Sequence, residues 1–473
     1  MGVQARMVPM IGRRFPTLRP ALALAALGLA GAAAAQPAPE PPPPAPSAAT
    51  AVPAETAAPA PVAVKTLAAP DLFSPAGADT GLPPELWRGT SPVILRAVLP
   101  LLAAKPLSPA AQGLARRVLA TGASGPGGAG DDPALAGARV NALIAQGGVK
   151  AAREILDKTS GLDQRPALAQ AAAEAALLAG GADRACALGD ALAVGREDIY
   201  WLRLRAYCQA RKGDNDAAQL TLDLAQGQAR DPVFGRLMAA KLSGAAPGAA
   251  SLRGGLDYAL SKDLGLDLAK AQPSPAVAAA LDPHPAAQPV WPMEAGPGTV
   301  RATLATLAGG DLATARTMRA SLTDADTQAA GAYDLALLDA AFAAATGRGV
   351  EPALDRLIER GGAEAAKTRP RAQVAAVILA ALGAPMSDAA RGQFAAFTAG
   401  ETKAAPARTL ALDAAGAQNR MGETALLALW IASDAGPGGP VSGDRVRIIR
   451  ALKAAGLEAD ARAFALEGLL ALR

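Results

Sequence analysis

Apolar residues recur along this chain at helical spacing, and runs of alternating apolar and polar positions are missing. Alanine- and leucine-rich stretches predict helices over about 132–146, 149–159, 165–179, 182–193, 198–211, 214–227 and 231–242. Glycines punctuate them. Gly148, Gly181 and Gly213 each separate two helical stretches, at intervals of 33 and 32 residues, and each precedes a small-residue helix start. A helix–turn–helix unit repeated at that interval predicts an all-α chain built as an α-solenoid of antiparallel helix pairs.

The pattern changes at both ends of this array. Upstream, Leu72, Phe73, Leu86 and Trp87 are bulky residues in a chain with only 3% aromatics. They read as a cap over the open end of the first helix pair or, alternatively, as a docking peptide for a partner. Ser91-Pro92 and Ser108-Pro109 predict two helix starts, with serine as N-cap and proline in the first turn. The glycine run 122–130 lacks the lysine and the preceding strand of a phosphate-binding loop and reads as a flexible loop. Downstream, 250–271 is less regular, and 272–298 carries seven prolines. Proline breaks helix hydrogen bonding, so a boundary and a hinge are expected there. The helical pattern then resumes around Gly310, Gly347 and Gly456 at a drifted spacing. The expected division is therefore 71–271 as an N-terminal helical-repeat domain, 272–298 as a linker, and 299–473 as a C-terminal helical-repeat or α-bundle domain.

Composition matters most at the N-terminus. Arg6, Arg13, Arg14 and Arg19 precede an uncharged apolar run from Ala21 to Ala35, which predicts a signal peptide over 1–35 cleaved after Ala35. Left uncleaved, the same segment would be the chain's membrane attachment. Residues 36–70 are rich in proline and alanine and predict a disordered arm. The chain has 46 Lys and Arg against 42 Asp and Glu, and four of the arginines lie in 1–35, so the remainder is balanced at 42 of each. Nucleic acid thus has no electrostatic claim as a partner.

The stretch from Arg139 to Phe234 resembles tetratricopeptide-like repeats, with Gly-Asp-x-x-Ala-Ala from Gly213 to Ala218 matching the family's inter-helix turn and small-residue crossing point. The whole chain is similar to exported, alanine-rich bacterial helical proteins, some loosely labelled antifreeze-like. Tandem Ala-Ala-Thr is absent, however: the tripeptide occurs at Ala48-Ala49-Thr50 and at Ala344-Ala345-Thr346 only. The architecture also resembles the α-superhelix of periplasmic lytic transglycosylases, whose catalytic Glu-Ser dipeptide this chain lacks.

Catalytic chemistry is poorly represented. The single histidine, His284, lies between two prolines, a poor place to hold a base. One histidine and two cysteines do not supply the ligand set of a zinc site, so no metal and no cofactor is expected. Acid pairs such as Asp131 with Asp132 and Asp324 with Asp326 stand where helix caps are usual. Tyr200, Leu204, Tyr207 and Cys208 share one helical stripe that reads as core. Phe73, Trp87, Tyr200 and Trp201 remain the candidate partner-binding residues. Cys186 and Cys208 are the only cysteines, lie on consecutive helices and are expected to form a disulfide in an exported chain. The expectation is a non-enzymatic periplasmic or secreted scaffold for protein partners in the cell envelope. The alternative is a cell-wall glycan-binding or peptidoglycan-acting protein using surface carboxylates.

Overall fold

A computed structural model describes residues 71–281, 299–363 and 369–472. The signal segment 1–35, the arm 36–70, His284 and Trp291 lie outside the described residues. The described residues are all-helical, with twenty-one α-helices, three short 3-10 turns and no strand. The first group is α1 (Pro92–Ala104), α2 (Pro109–Ala120), α3 (Pro133–Ala145), α4 (Val149–Asp157), α5 (Pro166–Leu178), α6 (Ala182–Ala191), α7 (Ile199–Arg211) and α8 (Asn215–Gln228). There follow α9 (Pro232–Ser243), α10 (Gly255–Asp263), α11 (Pro275–Leu281), α12 (Thr299–Ala308), α13 (Leu312–Ala320) and α14 (Asp324–Thr346), which is interrupted at Gly331. The last are α15 (Val350–Ala363), α16 (Arg369–Ala380), α17 (Asp388–Phe394), α18 (Pro406–Ala417), α19 (Met421–Ala435), α20 (Ser442–Ala454) and α21 (Glu458–Leu470).

From α3 to α8 each helix packs on its neighbour in sequence, and α3 also packs on α5. The turns between paired helices are alike. Gly147, Gly180 and Gly213 have φ of 85°, 79° and 82°, and stand 33 residues apart. In each turn this left-handed glycine donates to the carbonyl three residues back and the next residue donates to the carbonyl five back, as in Gly180 N–H to Leu177 and Gly181 N–H to Ala176. The left-handed positions are thus Gly147 and Gly180, whereas Gly148 and Gly181 are N-caps, replaced by Asp214 in the third turn. That shift makes the two intervals equal. The same hydrogen bonds recur at Gly310, Asn419 and Gly456, joining α12 to α13, α18 to α19, and α20 to α21.

Among the described residues, helices from the two sides of 272–298 pack on one another. The described residues from Asp71 to Leu472 belong to one compact unit. Helix α1 packs on both α3 and α19, α2 packs on α19 and α21, and one apolar cluster runs from Leu72 to Leu470. Part of the expected linker is itself helical: Pro275 opens α11, which packs on α3 with Val277 buried. Proline in the first turn starts a helix instead of breaking one. A second apolar cluster gathers α6 to α10 around Trp201, Tyr207 and Phe234.

Candidate functional site

The cysteines meet as expected. Cys186 on α6 and Cys208 on α7 are disulfide-bonded with their Cα atoms 5.7 Å apart. Gly189 on α6 faces Trp201 and Leu204 on α7, where an added Cβ would make only ordinary contacts from 3.5 Å outward. Closing a loop of 22 residues contributes about 3 kcal/mol in the chain-entropy account.

Three of the four aromatic partner-binding candidates are buried. Phe73 and Trp87 have no accessible surface and pack edge to face, with centroids 6.2 Å apart, while Trp201 is 3% exposed. They are core residues, because the entry segment folds inward over α1 to α3 and is not presented as a peptide. Tyr200 is half-buried and packs edge to face on Trp201. Its hydroxyl lies near Glu174, and burial followed by the Glu174 charge pushes its pKa well up. Glu174 accepts the Gly255 N–H at 2.5 Å, and burial raises its pKa. Trp430 is half-buried beneath the Arg408 guanidinium, 4.4 Å from its ring centroid.

One acid of each pair caps a helix start. Asp132 accepts Ala134 and Leu135 N–H groups at the start of α3 and pairs with Arg96 at 2.9 Å. Asp326 closes a capping box with Thr323 at the start of α14. Hydrogen bonds from Thr299 and Thr323 hold its carboxyl down at about 2.

Buried polar side chains that the sequence reading missed cluster around α1 and α2. Ser91 and Ser108, expected as caps, make no side-chain cap hydrogen bond. Glu423 of α19 accepts the Ser91 N–H at 2.9 Å, and Glu467 of α21 accepts the Ala110 N–H at 2.8 Å. The C-terminal ends are held from α3. Gln146 donates to the Leu102 carbonyl at 2.6 Å, and the Arg139 guanidinium donates to Leu119, Thr121, Phe73 and Pro75 carbonyls. Acceptors therefore meet both helix N-termini and donors both C-termini, the arrangement the backbone dipoles favour. Arg139 also lies over the Phe73 ring at 5.4 Å. The glycine run 122–130 is pinned to the same segment: Gly125 N–H donates to Asp71, and Ala123 and Ala129 are buried.

Surface hollows are shallow and floored by small residues. One hollow of 590 Å³ lies between α18 and α20 over Ala417, Ala451 and Ala454, with Asp413, Arg447 and Arg450 at its walls. Arg447 and Asp413 are paired at 3.2 Å. Among the described residues no group of three or more His, Cys, Asp or Glu side chains is placed to hold a metal ion. None of their helices is long and apolar enough to cross a membrane. Comparison with protein-family models, curated proteins and solved structures returns no match for this chain.

Proposed function

We propose that the chain is an exported, non-enzymatic scaffold whose tetratricopeptide-like solenoid segment, α3 to α8, presents a surface to protein partners in the cell envelope. One observation carries the reading: the 33-residue register. The glycines at 147, 180 and 213 turn the chain at equal intervals, and Ala152, Ala185 and Ala218, five residues after each, are all fully buried at the helix crossings. Units stacked in register expose matching positions on each helix, and the outer face of such an array is free to vary with the partner it meets. The N-terminal Arg-rich, then apolar, segment supports export. The peptidoglycan alternative gains no support: the aromatics that would stack on sugar are mostly buried, and one acid of each candidate pair, Asp132 and Asp326, serves as a cap.

Reciprocal affinity capture from envelope extracts, with the full chain as bait and then each recovered protein as bait, tests the reading. The expected result is at least one protein returned in both directions. Captures that repeatedly return no specific protein would sink it.

A further inference from the structure

The register makes α4, α6 and α8 comparable position by position. Two outward positions carry exposed Glu154 and Lys158 at the end of the first pair and exposed Ala187 and Ala191 in the second. In the third they carry Leu220 and Leu224, which are 73% and 60% exposed. The repeat geometry does not demand leucine there, since its two other copies do without it. The inward face of α8 is already supplied by Ala218, Leu222 and Ala225. Opposite that face, Ala217, Leu220, Leu224 and Gly227 follow one another at intervals of three, four and three, the spacing of a helix–helix seam. This helix is apolar on two sides and the fold covers one.

The charges beside the seam say what would cover the other. Aspartate recurs at one outward position of all three helices, Asp157, Asp190 and Asp223. Asp157 pairs with Arg184 at 2.5 Å and Asp190 with Lys212 at 3.2 Å, each cation coming from further along the array. Asp183 likewise pairs with Arg211 at 3.2 Å. At α8 the ladder stops. Among the described residues, Asp223 accepts a hydrogen bond from Gln219 and neither it nor the exposed Asp216 forms an ion pair. We infer that the outer face of α8 docks an amphipathic helix of a partner protein that brings apolar side chains at seam spacing and Lys or Arg along one flank. This rests on the scaffold reading and gives the partner its chemistry. A second copy of the chain fits less well, because it would bring the same acidic edge against Asp216 and Asp223.

The probe is a stapled helical peptide with leucine at the seam positions and lysine along one flank, set against the same helix with glutamate on that flank. Both are titrated into the full chain by fluorescence anisotropy. The lysine-flanked helix should bind, more weakly as salt rises, and the glutamate-flanked helix at least about tenfold less tightly. L220Q/L224Q should weaken binding by about tenfold or more, and D216K/D223K should reverse the preference between the two peptides. Both changes are at exposed positions, so unchanged circular dichroism and melting will show that the variants fold. No binding of either peptide, or equal binding by L220Q/L224Q, overturns the proposal. So does dimerisation of the wild-type chain in sedimentation that L220Q/L224Q abolishes, which would give the face to a second copy. Reciprocal capture that returns the same specific protein with wild type and with L220Q/L224Q removes α8 from the interface and leaves the scaffold reading in place.

Discussion

Arg139 is fully buried and forms no ion pair among the described residues, an arrangement that ordinarily costs several kcal/mol. What offsets the cost is that its guanidinium fork reaches four backbone carbonyls at the end of α2 and in the entry segment, of which only that of Phe73 is shown accepting a backbone N–H as well, from Ala123. Burial pushes its pKa down to about 10 against the opposing pull of Asp71, so it remains protonated at neutral pH. Arg139→Ala should lower unfolding free energy by about 3–5 kcal/mol, and Arg139→Lys should recover little, because one ammonium cannot span four acceptors. Urea denaturation measures both. A loss under about 1 kcal/mol for the alanine variant would mean that the carbonyls find other donors. The residue was legible in part. It stands in phase with Leu135, Val140 and Leu143 on the apolar face of α3, but an isolated arginine is ordinarily read as exposed. Phe73 and Trp87 stand out in the sequence by their rarity, which does not by itself say that both are buried.

At the scale of helices, the carboxylates of α19 and α21 take the part that Ser91 and Ser108 would ordinarily play. Glu467 accepts the Ala110 N–H and binds Arg445 at 2.6 Å, with both side chains buried. Glu467→Ala strips the start of α2 of its acceptor and leaves a buried guanidinium without its carboxylate, a change expected to cost about 3–5 kcal/mol. Removing Arg445 as well should cost less than the two single losses together, with a coupling of about 1–3 kcal/mol in a double-mutant cycle read by denaturation. Additive losses would show that the two side chains act separately. Helix starts were readable because a proline in the first turn is a local signal. The caps were not readable, since the partners lie 332 and 357 residues away along the chain. The turns between α3 and α8 were the most legible feature, because a left-handed residue nearly demands glycine and writes the register into the sequence. Asn419, at φ 53°, makes the same turn without glycine, one reason the later repeats looked irregular.

In the whole molecule, α1 and α2 join what the prolines of 272–298 divide in sequence. Helical periodicity says that α1 and α2 are apolar on more than one side, but not which distant helices cover them, so the boundary at 272–298 was inferred from the backbone chemistry of the linker alone. Contacts across that boundary are extensive. Gly422 N–H donates to the Leu86 carbonyl at 3.0 Å, and a Cβ at Gly422 would stand only 2.7 Å from that oxygen and from the Trp87 ring. Arg117 pairs with the mostly buried Asp460 at 2.7 Å, and Lys105 with Asp434 at 3.2 Å. Ser91 and Ala110 are held by Glu423 and Glu467. A protease site engineered into 282–298 therefore separates two chains that remain one body. After cleavage the pieces should co-elute on size exclusion at micromolar concentration and part only in denaturant. The piece carrying α12 to α21, made alone, exposes the faces of α19 and α21 that α1 and α2 cover and should self-associate. Clean separation of the cleaved pieces in native buffer, each monomeric and folded, would show that the halves are independent domains and that α1 and α2 belong to the first of them alone.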